Sequence, residues 1–237
     1  MVREYKRIWD SSPVLRRFYR DIWAWAWEEV TLKPVVELGG GAGLMRERYP
    51  ELFSTDLLPF PNTTLQCDAT RLPFRPESVG CFVGIAFFHH CTALRTLLEE
   101  AQTALQPGGR MVLIDPYISP LSRWIYRFAT DEAVDLSEKP LETQAANAGN
   151  PLLDANVARA TLVFLREREA YDRLFPAFQI KSVECINFFR HIAAGSCVQQ
   201  FPAAPLVYPP ACLVDRLLHP IRRYTGMCMK VVLEKTP

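Results

Sequence analysis

The sequence predicts an α/β protein in which helices cover both faces of a parallel sheet. Short apolar segments with strand character alternate with helical patterns through residues 33–115, and this alternation is typical of parallel strands joined by helical crossovers. A cluster of glycines directly follows the first of these segments, as happens where a strand turns sharply into a helix. Two more strand-like segments lie near the end of the chain. We therefore expect one sheet that draws strands from both parts of the sequence.

Composition supports a folded domain and argues against two other classes of protein. Hydrophobic residues make up 49% of the 237 residues, which is too large a share for a disordered chain. The 27 Lys and Arg residues are balanced by 26 Asp and Glu residues, giving a net charge of +1. Nucleic-acid binding is disfavoured, since it usually requires a basic face. We expect residues 1–237 to form one domain.

Residues 1–32 are predicted to form a helical cap that precedes the sheet. Ser12 followed by Pro13 is a typical helix start, because serine accepts a bond from a free backbone N–H and proline fits the first helical position. The apolar residues after them recur at helical spacing: Leu15, Phe18, Ile22 and Trp25.

Seven segments have the apolar character of strands. They lie at residues 34–38, 52–56, 64–67, 79–87, 111–115, 179–189 and 227–234. A helix is predicted between the fourth and the fifth, because leucine and alanine recur there at helical spacing before a Pro-Gly-Gly turn at 107–109. Further helices are predicted after Ser119-Pro120 and over residues 156–175.

Four of the eleven glycines lie within five positions. They are Gly39, Gly40, Gly41 and Gly43. Glycine lets the backbone approach a ligand closely, and the helix that follows offers free N–H groups, so the turn indicates a nucleotide-type ligand. A dinucleotide fingerprint, G-x-G-x-x-G, needs a glycine at its sixth position, where this chain has Leu44 or Arg46. An NAD-dependent oxidoreductase is therefore the weaker alternative.

Five motifs, taken in order, resemble those of class I S-adenosylmethionine-dependent methyltransferases. They are VVELGGGAG, STDLLP, CDATRLPF, VGIAFFHHC and LEEAQTALQPGGRMVLIDP. The first matches the family pattern E/D-x-G-x-G-x-G, and the set is closest to the small-molecule "type 11" branch. The resemblance implies a Rossmann-like sheet of seven strands whose last pair is antiparallel. Only twelve residues separate Gly43 from Asp56, fewer than is usual in the family, so the first helix of the core is expected to be short, over residues 44–49.

The resemblance also implies S-adenosyl-L-methionine as cofactor, with S-adenosyl-L-homocysteine as product. Glu37 would face the methionine ammonium group, Asp56 would accept the ribose hydroxyls, and Asp68 with Ala69 would contact the adenine. A carboxylate suits a diol because it accepts two charge-assisted bonds. The full set of expected cofactor-binding residues is Glu37, Gly39, Gly40, Gly41, Gly43, Asp56, Leu57, Asp68, Ala69, Phe87 and Phe88.

His89 and His90 are the candidate catalytic residues, because they follow the fourth strand where the family lines the methyl-transfer cleft. The cofactor carries the activated methyl group, so a base is needed only if the acceptor holds a proton, and histidine suits that task. His89 is favoured of the two. Asp115 and Tyr117 are secondary candidates, and no metal site is predicted.

The acceptor is expected to be a small molecule, methylated at an O, N or C atom that the sequence does not specify. The cap and an insert over residues 116–178 would cover the carboxyl ends of the strands in the core, 33–115, where open α/β sheets bind ligands. Residues 179–237 would add the C-terminal strand pair. A non-catalytic S-adenosylmethionine-binding module is the other alternative.

Cellular location is predicted from the cysteines and the N-terminus. The seven cysteines have no metal-binding spacing and are interpreted as reduced thiols of a cytoplasmic protein. The opening sequence MVREYKRIWD lacks the apolar segment of a signal peptide, and no stretch has the ~20 apolar residues of a transmembrane helix. Peripheral membrane contact is possible but not favoured, and the oligomeric state is left open.

Overall fold

Seven strands form one sheet in the computed structural model, which describes residues 2–60, 62–142, 154–195 and 202–236. The strands are β1 (Val35–Leu38), β2 (Phe53–Asp56), β3 (Leu65–Gln66), β4 (Val79–Ile85), β5 (Leu105–Pro116), β6 (Phe178–Ile186) and β7 (Cys228–Lys235). Their order is β3-β2-β1-β4-β5-β7-β6. The first five strands are parallel and β7 is antiparallel to both of its neighbours. The predicted α/β class, strand number and antiparallel last pair are confirmed.

The helices lie before, between and after these strands. They are α1 (Val2–Ser11), α2 (Pro13–Trp27), α3 (Leu94–Ala104), α4 (Pro120–Ala129), α5 (Arg159–Thr161), α6 (Arg168–Leu174), α7 (Phe189–Ala194), α8 (Ala204–Leu217) and α9 (Arg222–Thr225). Short 3-10 helices occupy Leu44–Glu47, Phe88–His90 and His219–Ile221, and a π-helical turn occupies Leu162–Arg166. No helix in these described ranges is both long and apolar enough to cross a membrane.

The N-terminal cap consists of two helices. Ser12 has an extended backbone and its hydroxyl accepts the N–H of Leu15 at 3.3 Å, so it ends α1 and caps α2. Trp9 is buried and its indole N–H donates to the Glu47 carboxylate at 3.1 Å. This bond places α1 beside the 3-10 helix that follows the glycine turn.

Helices cover both faces of the sheet, as the side chains of β4 show. Phe82 points to one face, where it joins a core formed with α3, the π-helical turn and α6. Cys81 and Val83 point to the other face, where they pack with residues of α1, α2 and α7. This alternation is the pattern expected for a strand that is buried on both sides.

Two predicted elements have different boundaries in the structure. The predicted helix over 156–175 is interrupted, because the π-helical turn separates α5 from α6. The Pro-Gly-Gly turn at 107–109 lies inside β5, where the register with β4 shifts and Gly108 has a φ of +74°. It is therefore a bulge in the strand, and α3 leads directly into β5.

Candidate active site

The glycine turn begins directly after β1, and its shape requires residues that have no side chain. Gly39 has a φ of +67°, and a Cβ there would lie 2.4 Å from the Phe87 ring. Gly41 has a φ of +51°, yet a Cβ there would meet nothing within 4 Å. The turn therefore packs against the loop after β4 on one side and has open space for a ligand on the other.

Asp56, at the end of β2, lies directly against this turn. Its Oδ2 accepts the N–H of Gly41 at 2.8 Å and its Oδ1 accepts the N–H of Leu58 at 2.8 Å. The carboxylate is half-buried, and each oxygen has a second lone pair for another donor. The short spacing between Gly43 and Asp56 is met by the 3-10 helix Leu44–Glu47, which lets β2 pair in register beside β1.

Glu37 is a buried carboxyl group beneath the turn. The Ser54 hydroxyl donates to its Oε2 at 2.6 Å. Burial raises the pKa of Glu37 to about 7, and the nearby charge of Asp56 adds to the rise, while the bond from Ser54 acts against it. A cation bound beside the turn would favour the ionised form.

Asp68 and Ala69 lie between β3 and β4, and both are half-buried. Asp68 Oδ1 accepts the N–H and the hydroxyl of Thr70, both at 2.8 Å. Among the described residues Oδ2 has no hydrogen-bond partner, so this oxygen is open to a ligand. Leu57, the next residue after Asp56, is also half-buried.

Phe87 and Phe88, both expected near the cofactor, lie in different surroundings. Phe87 is half-buried and borders Gly39. Phe88 is fully buried in the core and packs on Phe164 with ring centroids 5.1 Å apart. The ring of Phe87 therefore borders the glycine turn, whereas Phe88 supports the loop from below.

Asp115, near the end of β5, holds the loop that follows β4. Its carboxylate accepts the backbone N–H groups of Phe87, Phe88 and His89 at 3.1, 2.8 and 3.1 Å. It also bonds to Nδ1 of the His89 ring at 2.7 Å. Because β4 and β5 are neighbouring parallel strands, their carboxyl ends bring these groups together.

His89 is buried and has a carboxylate at each ring nitrogen. Nδ1 bonds to Asp115, and Nε2 lies 3.5 Å from Oε2 of Glu132. Burial lowers the pKa of His89, but Asp115 and Glu132 outweigh it and raise the pKa to about 9. The bond from His89 in turn lowers the pKa of Glu132. The ring is therefore positively charged at neutral pH.

His90 and Glu132 lie at the outer side of this network. Nε2 of His90 is 3.9 Å from Oε1 of Glu132, and both residues are half-buried. Glu132 has no motif of its own, and the only sequence signal for it is the acidic composition of the segment after α4.

The atoms that His89, His90 and Glu132 offer as ligands all lie within 4.8 Å of one another, a geometry that can hold a divalent cation. The His89 ring would first have to lose its Nε2 proton to act as a ligand.

The insert after β5 is anchored to the same loop. The carbonyl oxygen of His89 accepts the backbone N–H of Asn156 at 3.0 Å and the guanidinium of Arg159 at 2.7 Å. Arg159 is buried and also pairs with Glu138 at 3.0 Å. Tyr117 instead points away from the histidines, since its hydroxyl donates to the carbonyl of Arg223.

The sheet and this site resemble those of one class of protein. This chain has a seven-stranded sheet with an antiparallel β7, a glycine turn after β1 and a carboxylate at the end of β2. These three features are typical of the class I methyltransferases, whose cofactor is S-adenosylmethionine. The family model described as "Methyltransferase domain", of type 11, matches residues 44–113. The chain therefore has the fold of the class I methyltransferases, and residues 44–113 are similar to the type 11 methyltransferase domain, as the motifs predict.

Solved structures share this fold at low sequence identity. A geranyl diphosphate methyltransferase in complex with S-adenosylmethionine aligns with a TM-score of 0.56 and 13% identity, covering 93% of this chain and 87% of that chain. The geranyl diphosphate C-methyltransferase of Streptomyces coelicolor A3(2) aligns with a TM-score of 0.55 and 12% identity, covering 98% and 83%. A complex of the Haloferax volcanii Trm112 methyltransferase activator with a methyltransferase aligns with a TM-score of 0.51 and 15% identity, covering 100% and 94%. No curated protein sequence matches the chain.

Proposed function

We propose that this enzyme transfers the methyl group of S-adenosylmethionine to a small molecule bound at the carboxyl ends of β4 and β5. The observation that carries the proposal is the network of Asp115, His89 and Glu132. It lies on a loop whose Phe87 borders the glycine turn. The acceptor site and the cofactor site thus share one loop.

The residues of the turn fit the cofactor by the chemistry of their donors and acceptors. The open side of Gly41 leaves room for the ligand, and the adjacent Asp56 has lone pairs for the ribose hydroxyls. The buried Glu37 supplies a negative charge for the methionine ammonium group. Asp68 Oδ2 is available to the adenine amino group, with the Ala69 backbone beside it.

The cofactor supplies an activated methyl group, so the chain must orient the acceptor and exclude water. His89 is the histidine that the sequence favours for catalysis, but a ring that is already protonated accepts no proton from an acceptor. We assign to His89 the positioning of Glu132, which it holds by charge. His90 and Glu132 are then the groups that contact the acceptor, because both are only half-buried.

A small molecule is the favoured acceptor on two grounds. The balanced charge of the chain offers no general attraction for nucleic acid. A geranyl diphosphate C-methyltransferase of the same fold binds geranyl diphosphate, which is a small molecule. The Trm112 complex shows that this fold can also associate with an activator protein.

Transfer of labelled methyl groups from S-adenosylmethionine to the components of a metabolite extract tests this proposal. We expect one labelled small product. The His90→Ala variant should lose at least ~10-fold in turnover, the size of a lost acid–base or positioning contact, while still binding S-adenosylhomocysteine. His219→Ala, which removes an exposed histidine outside the site, is the matched control. Label found only in protein or RNA, or unchanged turnover of the His90→Ala variant, contradicts the proposal.

A further inference from the structure

Large apolar side chains are exposed on α4, just beyond the site. Trp124 is 66% exposed and Phe128 is 71% exposed, and their rings contact each other edge to face with centroids 5.4 Å apart. The opposite side of the helix is anchored, because the Tyr126 hydroxyl donates to the carbonyl of Met227. The two exposed rings are therefore held in a fixed position at the surface.

A second exposed apolar segment runs from the end of α8 to α9. Leu217 is 69% exposed and Tyr224 is 66% exposed, and Leu213 and Ile221 are exposed in the same segment. This segment is continuous with α4, since α9 packs against α4. We call the exposed residues of α4 and of residues 213–224 the apolar–basic face.

The charges on this face have one sign. Its exposed arginines are Arg123, Arg127, Arg216 and Arg223, and the half-buried Arg222 lies beside Arg223 in the chain. Asp215 is the one acidic residue within 120–129 and 204–225, and it is buried and paired with Arg190 at 3.2 Å. The face thus combines exposed aromatic and aliphatic side chains with guanidinium groups that no acid of these two segments neutralises.

We propose that the apolar–basic face docks on the surface of an anionic membrane. Aromatic and leucine side chains enter the boundary between headgroups and acyl chains, while arginines bind lipid phosphates. A nucleic-acid contact would use the arginines but would leave Leu213, Leu217 and Ile221 in water. The α8 helix has 14 residues and two internal prolines. It is shorter than the ~20 residues that a membrane-spanning helix needs, so it would lie on the membrane surface.

Docking would bring the acceptor site close to the lipid. α4 begins at Pro120, four residues beyond the end of β5 at Pro116, and β5 carries Asp115 near that end. The face and the histidine loop therefore lie toward the same edge of the sheet. A membrane-borne acceptor could reach the site without crossing bulk water.

Co-sedimentation of the full chain with vesicles tests the proposal. We expect binding to phosphatidylcholine vesicles that contain phosphatidylglycerol, weak binding to phosphatidylcholine alone, and loss of binding at high salt. The variants W124A/F128A and R222E/R223E should each bind about tenfold more weakly. The double variant R173E/L174A is the matched control, since it changes an exposed arginine and leucine on α6, at the opposite face of the sheet.

Stabilisation by S-adenosylhomocysteine shows independently that each variant is folded. Equal sedimentation with and without vesicles, equal binding to neutral and anionic vesicles, or an equal loss in the control variant would overturn the proposal. A second result would also overturn the proposal. If the unaltered chain binds no vesicles, and its mass in solution is that of a dimer that becomes a monomer in W124A/F128A, the face joins two copies of the chain. Membrane binding and methyl transfer are measured separately, so failure of one leaves the other standing.

Discussion

At the scale of single residues, the site depends on two buried carboxyl groups that have different partners. Asp115 accepts three backbone N–H groups and bonds to the His89 ring. Glu37 accepts one hydroxyl, so burial dominates and raises its pKa to about 7. Asp115 therefore holds the loop after β4 in place, whereas Glu37 is a carboxyl group whose pKa lies near neutrality.

Glu37 should make the ligand-free enzyme less stable as the pH rises. The folded state keeps a proton that the unfolded chain releases between the ordinary pKa of 4.5 and about 7, so stability falls across that window. We expect Glu37→Gln to be more stable than the unaltered protein above pH 7, by about 3 kcal/mol for a shift of this size, and to show no gain below pH 4.5. Urea denaturation at several pH values measures this difference.

The same substitution should weaken cofactor binding, because the amide offers no charge to the ammonium group. Titration calorimetry with S-adenosylhomocysteine should show a loss of roughly tenfold or more, as for a lost bond to a charged group. Glu51→Gln, an exposed glutamate paired with Lys33, is the control for both measurements. A Glu37→Gln variant that binds the ligand normally would contradict the assignment.

At the scale of elements, the insert after β5 is hydrogen-bonded to the loop that carries the histidines. The backbone of Asn156 and the side chain of Arg159 both donate to the carbonyl of His89. The carboxylates proposed to bind the cofactor, in contrast, lie on β1, β2 and the loop after β3. The proposed cofactor and acceptor sites thus share the loop after β4 but depend on different supporting elements, so we expect them to respond separately to mutations in those elements.

Replacing Arg159 with methionine should reduce methyl transfer while leaving cofactor binding intact. The change leaves Glu138 and the carbonyl of His89 without their buried partner, which costs about 3 kcal/mol of stability, and it loosens the loop. We expect kcat to fall at least tenfold, with S-adenosylhomocysteine affinity within twofold of normal. Arg168→Met, which breaks an exposed pair with Asp172 on α6, should change neither quantity. Equal losses in cofactor affinity and kcat would show that the insert does not act on the acceptor side alone.

The elements that the sequence predicts well are those set by local pattern. Apolar runs specify all seven strands, and the Ser12-Pro13 and Ser119-Pro120 pairs mark helix starts that the structure confirms. Glu132 was not predicted because it lies 42 residues beyond His90 along the chain, and only tertiary packing brings the two together. The charge of His89 was missed for the same reason, since it results from burial between carboxylates on different elements.

At the scale of the whole molecule, the fold separates three surfaces. The glycine turn lies at the carboxyl ends of β1 and β2, and the histidine loop follows β4 in the centre of the sheet. The apolar–basic face continues outward from β5 through α4 and α9. The strand order thus arranges the proposed cofactor site, acceptor site and membrane contact side by side along one edge of the sheet.

This arrangement predicts where a ligand should protect the chain from hydrogen exchange. S-adenosylhomocysteine should slow exchange in peptides that contain residues 39–43, 56–58 and 68–70, because it covers those backbone groups, and should leave residues 213–224 unchanged. At a ligand concentration about a hundredfold above Kd, it should also stabilise the fold by about 3 kcal/mol. NAD at the same concentration should do neither, since Leu44 and Arg46 stand where a dinucleotide fingerprint has glycine. Protection by NAD at residues 39–43, or protection by S-adenosylhomocysteine centred on residues 213–224, would contradict this arrangement of the three surfaces.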